Sequence, residues 1–312
     1  MVRSRDRSSG GVCKTLYWIV KIFLYPLRFL PRRVELFKGK ILGLILKACG
    51  FRTKIVRDNL ELAYSGDIKK GKMSTADLLW LERQNYIHYG RLIFELLHIP
   101  FDALRFAKKN VKVEGYENIE NALKKGKGVF LLSAHTGYWE IMSVMASLYN
   151  IPIHIVTKYL RISLFDKIWV KSRQSYGVKL INERNSAREI LKTIKNNGAV
   201  GFVMDQFMGP PVGIRSSFFA KPAWTMASLA WFVSKTNAAV VPVFNFRNQD
   251  GSFTIQVGKE LEFQRTGSSD GDIAYNTQLY NDVVESFIRE YPDQWLWIHR
   301  RWKRVKEDDL QP

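Results

Sequence analysis

The chain of 312 residues is 46% hydrophobic, enough for one large domain with a substantial core and too apolar for a disordered chain. Its only two cysteines, Cys13 and Cys49, show no C-x-x-C or mixed Cys/His spacing, which speaks against a disulfide framework or a zinc module and for a reducing compartment. A formal net charge of +19 and a pI near 9.8 require an anionic partner: nucleic acid, a phospholipid surface, an acidic protein or a phosphorylated substrate.

In chain order, residues 1–54 come first, with thirteen Lys/Arg against two acids. Basic and greasy together suggest a membrane rather than nucleic acid. "CKTLYWIVKIFLYPLRFLPRR" (13–33) lacks a signal-peptide cleavage site and an uncharged run of spanning length. Lys14, Lys21 and Arg28 are spaced by seven and form one basic stripe on a helix, the pattern of an interfacial anchor with snorkelling cations. An amphipathic helix covering the core is the alternative. "KILGLILK" (40–47) repeats the arrangement with Lys40 and Lys47.

Residues 55–110 form a helical segment, clearest over 75–99, with a break expected near Tyr89-Gly90. From 111 to 312 short Val/Ile/Phe-rich runs alternate with amphipathic stretches. Strands are expected at 111–115, 128–134, 152–157, 177–181, 199–205, 239–246 and 253–257. Helices are expected near 117–125, 137–149, 163–175, 186–196, 222–236 and 273–290. This alternation predicts an α/β fold: a mixed, largely parallel central sheet flanked by helices, with the N-terminal segment membrane-associated. Chemistry in such sheets collects beyond strand ends, where His135 and Asp205 fall.

"VFLLSAHTGYWEI" (129–141) runs from an apolar strand into His135 and Glu140. A spacing of five leaves two residues about 140° apart on a regular helix. The pair converges only if His135 lies in the turn and Glu140 in the first helical turn, with Gly137 permitting the bend. One imidazole nitrogen would then donate to the carboxylate and the other would be free as a base. The chain offers no evident nucleophile, so in a catalytic reading a substrate hydroxyl would supply it. On spacing alone, a single histidine near a glutamate is more often structural than catalytic. His88, His98 and His154 lie in apolar patterns and read as packing positions; His299 sits in a basic aromatic tail.

These residues resemble a family. "HTGYWE" is similar to the H-x-G-x-W-E signature of the bacterial lipid A biosynthesis late acyltransferases, the lauroyl/myristoyl group, within the wider set of H-x-x-x-x-D/E glycerolipid acyltransferases. "RDNLELAY" (57–64), "RLIFELL" (91–97), "MDQFMGPPVGIRSSFFAKPA" (204–223), "VVPVF" (240–244) and "YPDQWLWIHRRWK" (291–303) resemble its other blocks, in order. Tyr138 departs where asparagine is common, Ala220 where glycine follows Phe218-Phe219, and Lys158-Tyr159 after the strand. These departures bear on acceptor and chain preference, and Tyr138 is the first place to seek a substrate difference.

The resemblance implies acyl transfer from an acyl-carrier-protein or CoA thioester to a hydroxyl of a phosphorylated glucosamine lipid, without metal or other cofactor. It places the enzyme at the cytoplasmic side of the inner membrane. It carries the roles of base and orienting acid to His135 and Glu140, and further functional positions to Arg173 and to Asp205 and Gln206 of the Asp-Gln pair. In the tail, Trp295, Trp297, Trp302, Arg300 and Arg301 suit a membrane interface or phosphate-rich headgroups. They also suit single-stranded nucleic acid, packing of the tryptophans in the core is a third reading, and the N-terminal segment favours lipid. Another glycolipid or a lysophospholipid is the alternative acceptor for the same reaction, and two other functions compete. "GSSDG" (267–271) fits G-x-S-x-G around Ser269, though in a polar loop and not off a core strand. A non-enzymatic membrane- or nucleic-acid-binding protein is the second.

Overall fold

The computed structural model describes residues 25–151, 153–157, 163–182 and 186–303. Lys14, Lys21, Lys158 and Tyr159, and the side chain of Arg28, lie outside the described residues. At the centre is a seven-stranded sheet built from β1 (Val111–Glu114), β2 (Val129–Ser133), β3 (Ile153–Thr157), β4 (Lys179–Asn182), β5 (Ala199–Val203), β8 (Ala239–Arg247) and β9 (Phe253–Val257). Their order is β1-β9-β8-β2-β5-β3-β4. Every neighbouring pair runs parallel except β8 and β9. The strand β2 is buried along its whole length, and a strand covered on both faces reads as an unbroken apolar run.

Helices α1 (Arg32–Ala48), α2 (Thr53–Lys69), α3 (Thr75–Leu96) and α4 (Ala103–Asn110) precede the sheet. Helices α5 (Glu117–Lys124), α6 (Met145–Tyr149), α7 (Ser163–Ser175), α8 (Ser186–Lys195), α9 (Ser228–Thr236) and α10 (Ser269–Glu290) alternate with or follow its strands. Two apolar layers result. One joins Phe130, Leu132 and Phe202 to α2, α9, α10 and the tryptophans of the tail. The other joins Leu131, Val241 and Ile255 to Phe106, Ile119 and Tyr138.

Two local expectations fail for physical reasons. Helix α3 shows no break at Gly90. The glycine serves a close helix crossing instead: a Cβ there would lie 2.0 Å from the Gly39 carbonyl oxygen and 2.3 Å from the Gly43 nitrogen of α1. The helix expected from 222 begins only at Ser228, because β7 (Lys221–Met226) pairs with β6 (Gly213–Phe218) in an antiparallel hairpin. Its two-residue turn is Phe219-Ala220, both at φ +54, the left-handed turn that matches strand twist. Neither residue signals such a turn, since glycine or asparagine normally occupies it.

Helix α1 is also latched by charge. Arg32 donates from Nη2 to Glu95 Oε1 at 2.5 Å and to the Gly251 carbonyl at 2.7 Å. Arg247 grips the same carboxylate through Nε at 2.8 Å and through Nη2. Burial alone would raise the Glu95 carboxyl, but the guanidinium groups of Arg247 and then Arg32 hold it below the usual range. The opposite side of α1 presents Val34, Phe37, Ile41 and Ile45 to the outside, 37 to 62% exposed. None of the described helices is long and apolar enough to cross a membrane.

The tail is not the expected interface. Trp295, Trp297 and Arg301 are fully buried and Trp302 nearly so, while Arg300 is exposed. The tryptophan rings pack on Phe218 and Phe219, within one apolar layer of the core. Arg301 donates to the Trp224 carbonyl and Thr225 Oγ1, both at 2.5 Å, and lies over the Phe218 ring. Burial brings its guanidinium down to about 10.

Two substitutions test these contacts by denaturant unfolding. Gly90→Ala forces a methyl into backbone and should cost about 3 kcal/mol. Ala220→Gly relieves a left-handed alanine at an exposed turn and should gain about 1 kcal/mol.

Candidate active site

Strands β2 and β5 lie side by side with Ser133 opposite Val203. Each chain continues two residues past that pair, to His135 and to Asp205, at one edge of the sheet. There His135 Nδ1 lies 2.8 Å from Asp205 Oδ1. The His135 backbone N–H donates to Asp205 Oδ2 at 3.0 Å, and Trp295 Nε1–H donates to the same oxygen at 2.7 Å. Asp205 is buried. Burial alone would raise its carboxyl; the His135 charge and bonds, with the Trp295 donor, bring it down to about 2.

An ionised carboxylate only accepts, so His135 Nδ1 carries the proton of the neutral ring and Nε2 presents a lone pair. Burial would lower the imidazole, but Asp205, and more weakly Glu140, raise it above its ordinary value. The Trp139 ring stands at 76° to the imidazole, 5.3 Å between centroids. The Gln206 amide nitrogen lies 3.5 Å from Nε2.

Glu140 was expected to accept from His135, and the structure gives that place to Asp205. Gly137 makes the anticipated bend, at φ +54, with no room for a Cβ, which would sit 2.3 Å from Asn245 Oδ1. The chain then enters a 3-10 helix, Trp139–Val144. Within it Glu140 meets Arg173 of α7: Nε donates to Oε2 at 3.0 Å and Nη2 to Oε1 at 2.5 Å. This two-pronged fork is the geometry arginine favours with carboxylates. Arg173 also donates from Nη1 to Thr157 Oγ1 at 3.4 Å. Asp205 reaches the imidazole because adjacent parallel strands deliver it laterally, a pairing that spacing along one segment cannot reveal.

His135, Glu140, Arg173 and Gln206 border a cavity of about 620 Å³. Most of its other lining residues are apolar, including Leu131, Met145, Ile153, Ile155, Val243 and Ile255. Ser133 lines it too and contacts Met142 Sδ at 3.8 Å. Tyr138 does not line it: the ring is fully buried on Phe106 and Phe253, and its hydroxyl donates to the Glu95 carbonyl at 2.6 Å. The departure at 138 is therefore a packing feature rather than a substrate contact.

The role of Trp295 escaped the sequence reading, because a tryptophan among arginines reads as an interface residue. His299 also lies close enough for Asp205 and His135 to act on it; burial lowers its imidazole. Ser269 opens α10 behind the capping Ser268, which is not the strand-to-helix elbow a serine nucleophile needs. Among the described residues no group of three His, Cys, Asp or Glu is placed to hold a metal ion.

Residues 6–304 match the family model described as bacterial lipid A biosynthesis acyltransferase. A lipid A biosynthesis acyltransferase of Haemophilus influenzae is 22% identical over 297 residues, 94% of this chain and 89% of that one. The lipid A biosynthesis palmitoleoyltransferase of Escherichia coli is 26% identical over 277 residues, covering 88% and 86% of the two chains. A phosphatidylinositol mannoside acyltransferase of Mycolicibacterium smegmatis is 24% identical over 230 residues, 72% of each. With a family model matched along nearly its whole length, the chain belongs to the bacterial lipid A biosynthesis acyltransferases.

Proposed function

We propose that this protein moves a fatty acyl chain from a carrier-protein thioester to a hydroxyl of a phosphorylated glucosamine lipid, a lipid A precursor. The observation that carries the reading is the pair of buried Asp205 and partly exposed His135, with His135 bordering a largely apolar cavity. The acyl chain lies along the cavity with its thioester carbonyl at the imidazole. His135 Nε2 takes the acceptor hydroxyl proton as the oxygen attacks that carbonyl. The tetrahedral oxyanion collapses, the carbon–sulfur bond breaks, and the imidazolium returns the proton to the leaving thiolate. An ester and a free thiol result.

In this reading Asp205, rather than Glu140, fixes the tautomer and stabilises the imidazolium. Glu140 instead holds Arg173 at the cavity rim, where a guanidinium suits an oxyanion or a phosphate. The basic surface would meet an acidic carrier protein favourably. The exposed stripe on α1, flanked by Lys38 and Lys40, would seat the molecule on the cytoplasmic face of the inner membrane. The mannolipid relative keeps a different glycolipid acceptor as the nearest alternative, and mass spectrometry of lipids made with and without the gene separates the two.

Acyl transfer from acyl-carrier protein to a lipid A precursor should fall about 10³-fold in His135→Ala and at least about 10²-fold in Asp205→Asn; transfer unchanged in His135→Ala removes the mechanism. The base must be neutral, and a carboxylate favours its charged form. The acid limb of kcat/KM should therefore lie above the ordinary imidazole value of about 6.5 and move to lower pH in Asp205→Asn. For the membrane contact, Ile41→Glu should lower the bound fraction on phosphatidylglycerol vesicles in a sedimentation assay while leaving the unfolding midpoint near that of the parent.

A further inference from the structure

A second cavity, of about 470 Å³, opens between α3, the end of β8 and residues 291–294. Its chemistry differs from that of the apolar cleft. His88 is buried, and Arg247 Nη1 lies 2.8 Å from its Nδ1. A guanidinium only donates, so Nδ1 is the bare nitrogen and Nε2 carries the proton. That Nε2–H is buried with no acceptor, a costly state for a polar group unless something fills it.

Arg91 lines the same space. Among the described residues its guanidinium makes a single long hydrogen bond, from Nε to the Leu36 carbonyl at 3.5 Å, and no ion pair. Its neighbour Arg247 is neutralised by Glu95, whereas Glu95 and Asp293 act on Arg91 only through space, without a bond or ion pair to it. Gln84 and Asp293 add a free amide and a carboxyl without an ion pair. Trp80, 59% exposed, and Tyr291, stacked on Phe246 at 4.0 Å, form aromatic walls.

A cation, an orphan N–H, an amide, a carboxyl and flat aromatic faces match a particular occupant. Arginine and the His88 N–H suit phosphate oxygens, the amide and carboxyl suit hydroxyls, and a pyranose lays its C–H face on an aromatic ring. We propose that this cavity binds a phosphorylated sugar headgroup. The proposal deepens the acyl-transfer reading, since it supplies a second hold on the acceptor besides the reacting hydroxyl at His135. Gln294 joins the two places: it lines this cavity, its carbonyl accepts from the Gly137 N–H at 3.0 Å, and its side chain bonds the Arg247 backbone at 2.7 and 3.0 Å.

The test is calorimetric titration of the full chain in neutral detergent with glucosamine 1-phosphate, paired with acceptor kinetics. The parent and His135→Ala should bind alike. Arg91→Gln should weaken binding about tenfold or more, the worth of one charge-assisted pair, and raise the acceptor KM to match with kcat within twofold. Arg91→Lys, which keeps the charge, should fall between and guards against misfolding. Unchanged binding and acceptor KM in Arg91→Gln would overturn the site, as would binding that His135→Ala abolishes. If phosphatidylglycerol micelles bind in an Arg91-dependent way and glucosamine 1-phosphate does not, the occupant is a bilayer phospholipid and the sugar assignment falls. Arg91-dependent sugar-phosphate binding by a chain that transfers no acyl group would leave the site standing and remove the acyl-transfer reading instead.

Discussion

The carboxylate of Asp205 is the point on which the edge of the sheet depends. It is out of water, it is ionised, and three donors hold it: the His135 ring, the His135 backbone and the Trp295 indole. A buried charge is tolerable only when such bonds replace its hydration. The carboxylate thus fastens together the end of β5, the turn after β2 and the tail of the chain. Its negative charge also decides which imidazole nitrogen carries a proton, so the constraint that stabilises the edge also leaves Nε2 with a free lone pair.

The blocks that resembled the family converge around this point. Asn59 of α2 donates to the carbonyls of Trp297 and His299, both at 2.7 Å. Asn85 of α3 donates to those of Asp293 and Trp295, both at 2.8 Å. These amides satisfy backbone groups in a partly buried segment that, apart from the short 3-10 turn Pro292–Gln294, has no helix or strand to do so. Distant stretches of sequence are thereby committed to holding one irregular loop, and through it Trp295 and Asp205.

Much of the fold was legible because its signal is local. All seven strands of the sheet could be read from apolar runs bounded by breakers, and the strand-end rule put His135 and Asp205 on one edge. The hairpin β6–β7 was not legible, because Phe219 and Ala220 occupy left-handed positions that their chemistry does not announce. The partnership at the site was half legible. Spacing along one segment suggested Glu140, whereas the actual partner of His135 comes from a neighbouring strand seventy residues away. The tail was misread because tryptophan and arginine serve interfaces and cores alike, and only packing distinguishes them.

Helix α1 touches α3 where three glycines leave no side chains between the backbones, and Arg32 ties its first turn to Glu95 and Gly251. A joint without side chains has no rotamers to yield, and a doubly anchored end does not pivot. The outward stripe of α1 is therefore held at one angle and one height relative to the mouth of the apolar cavity. In the proposed seating on a bilayer, such a helix would act as a depth gauge. It would set how far the mouth stands above the headgroups, and hence which atoms along a lipid would come level with His135.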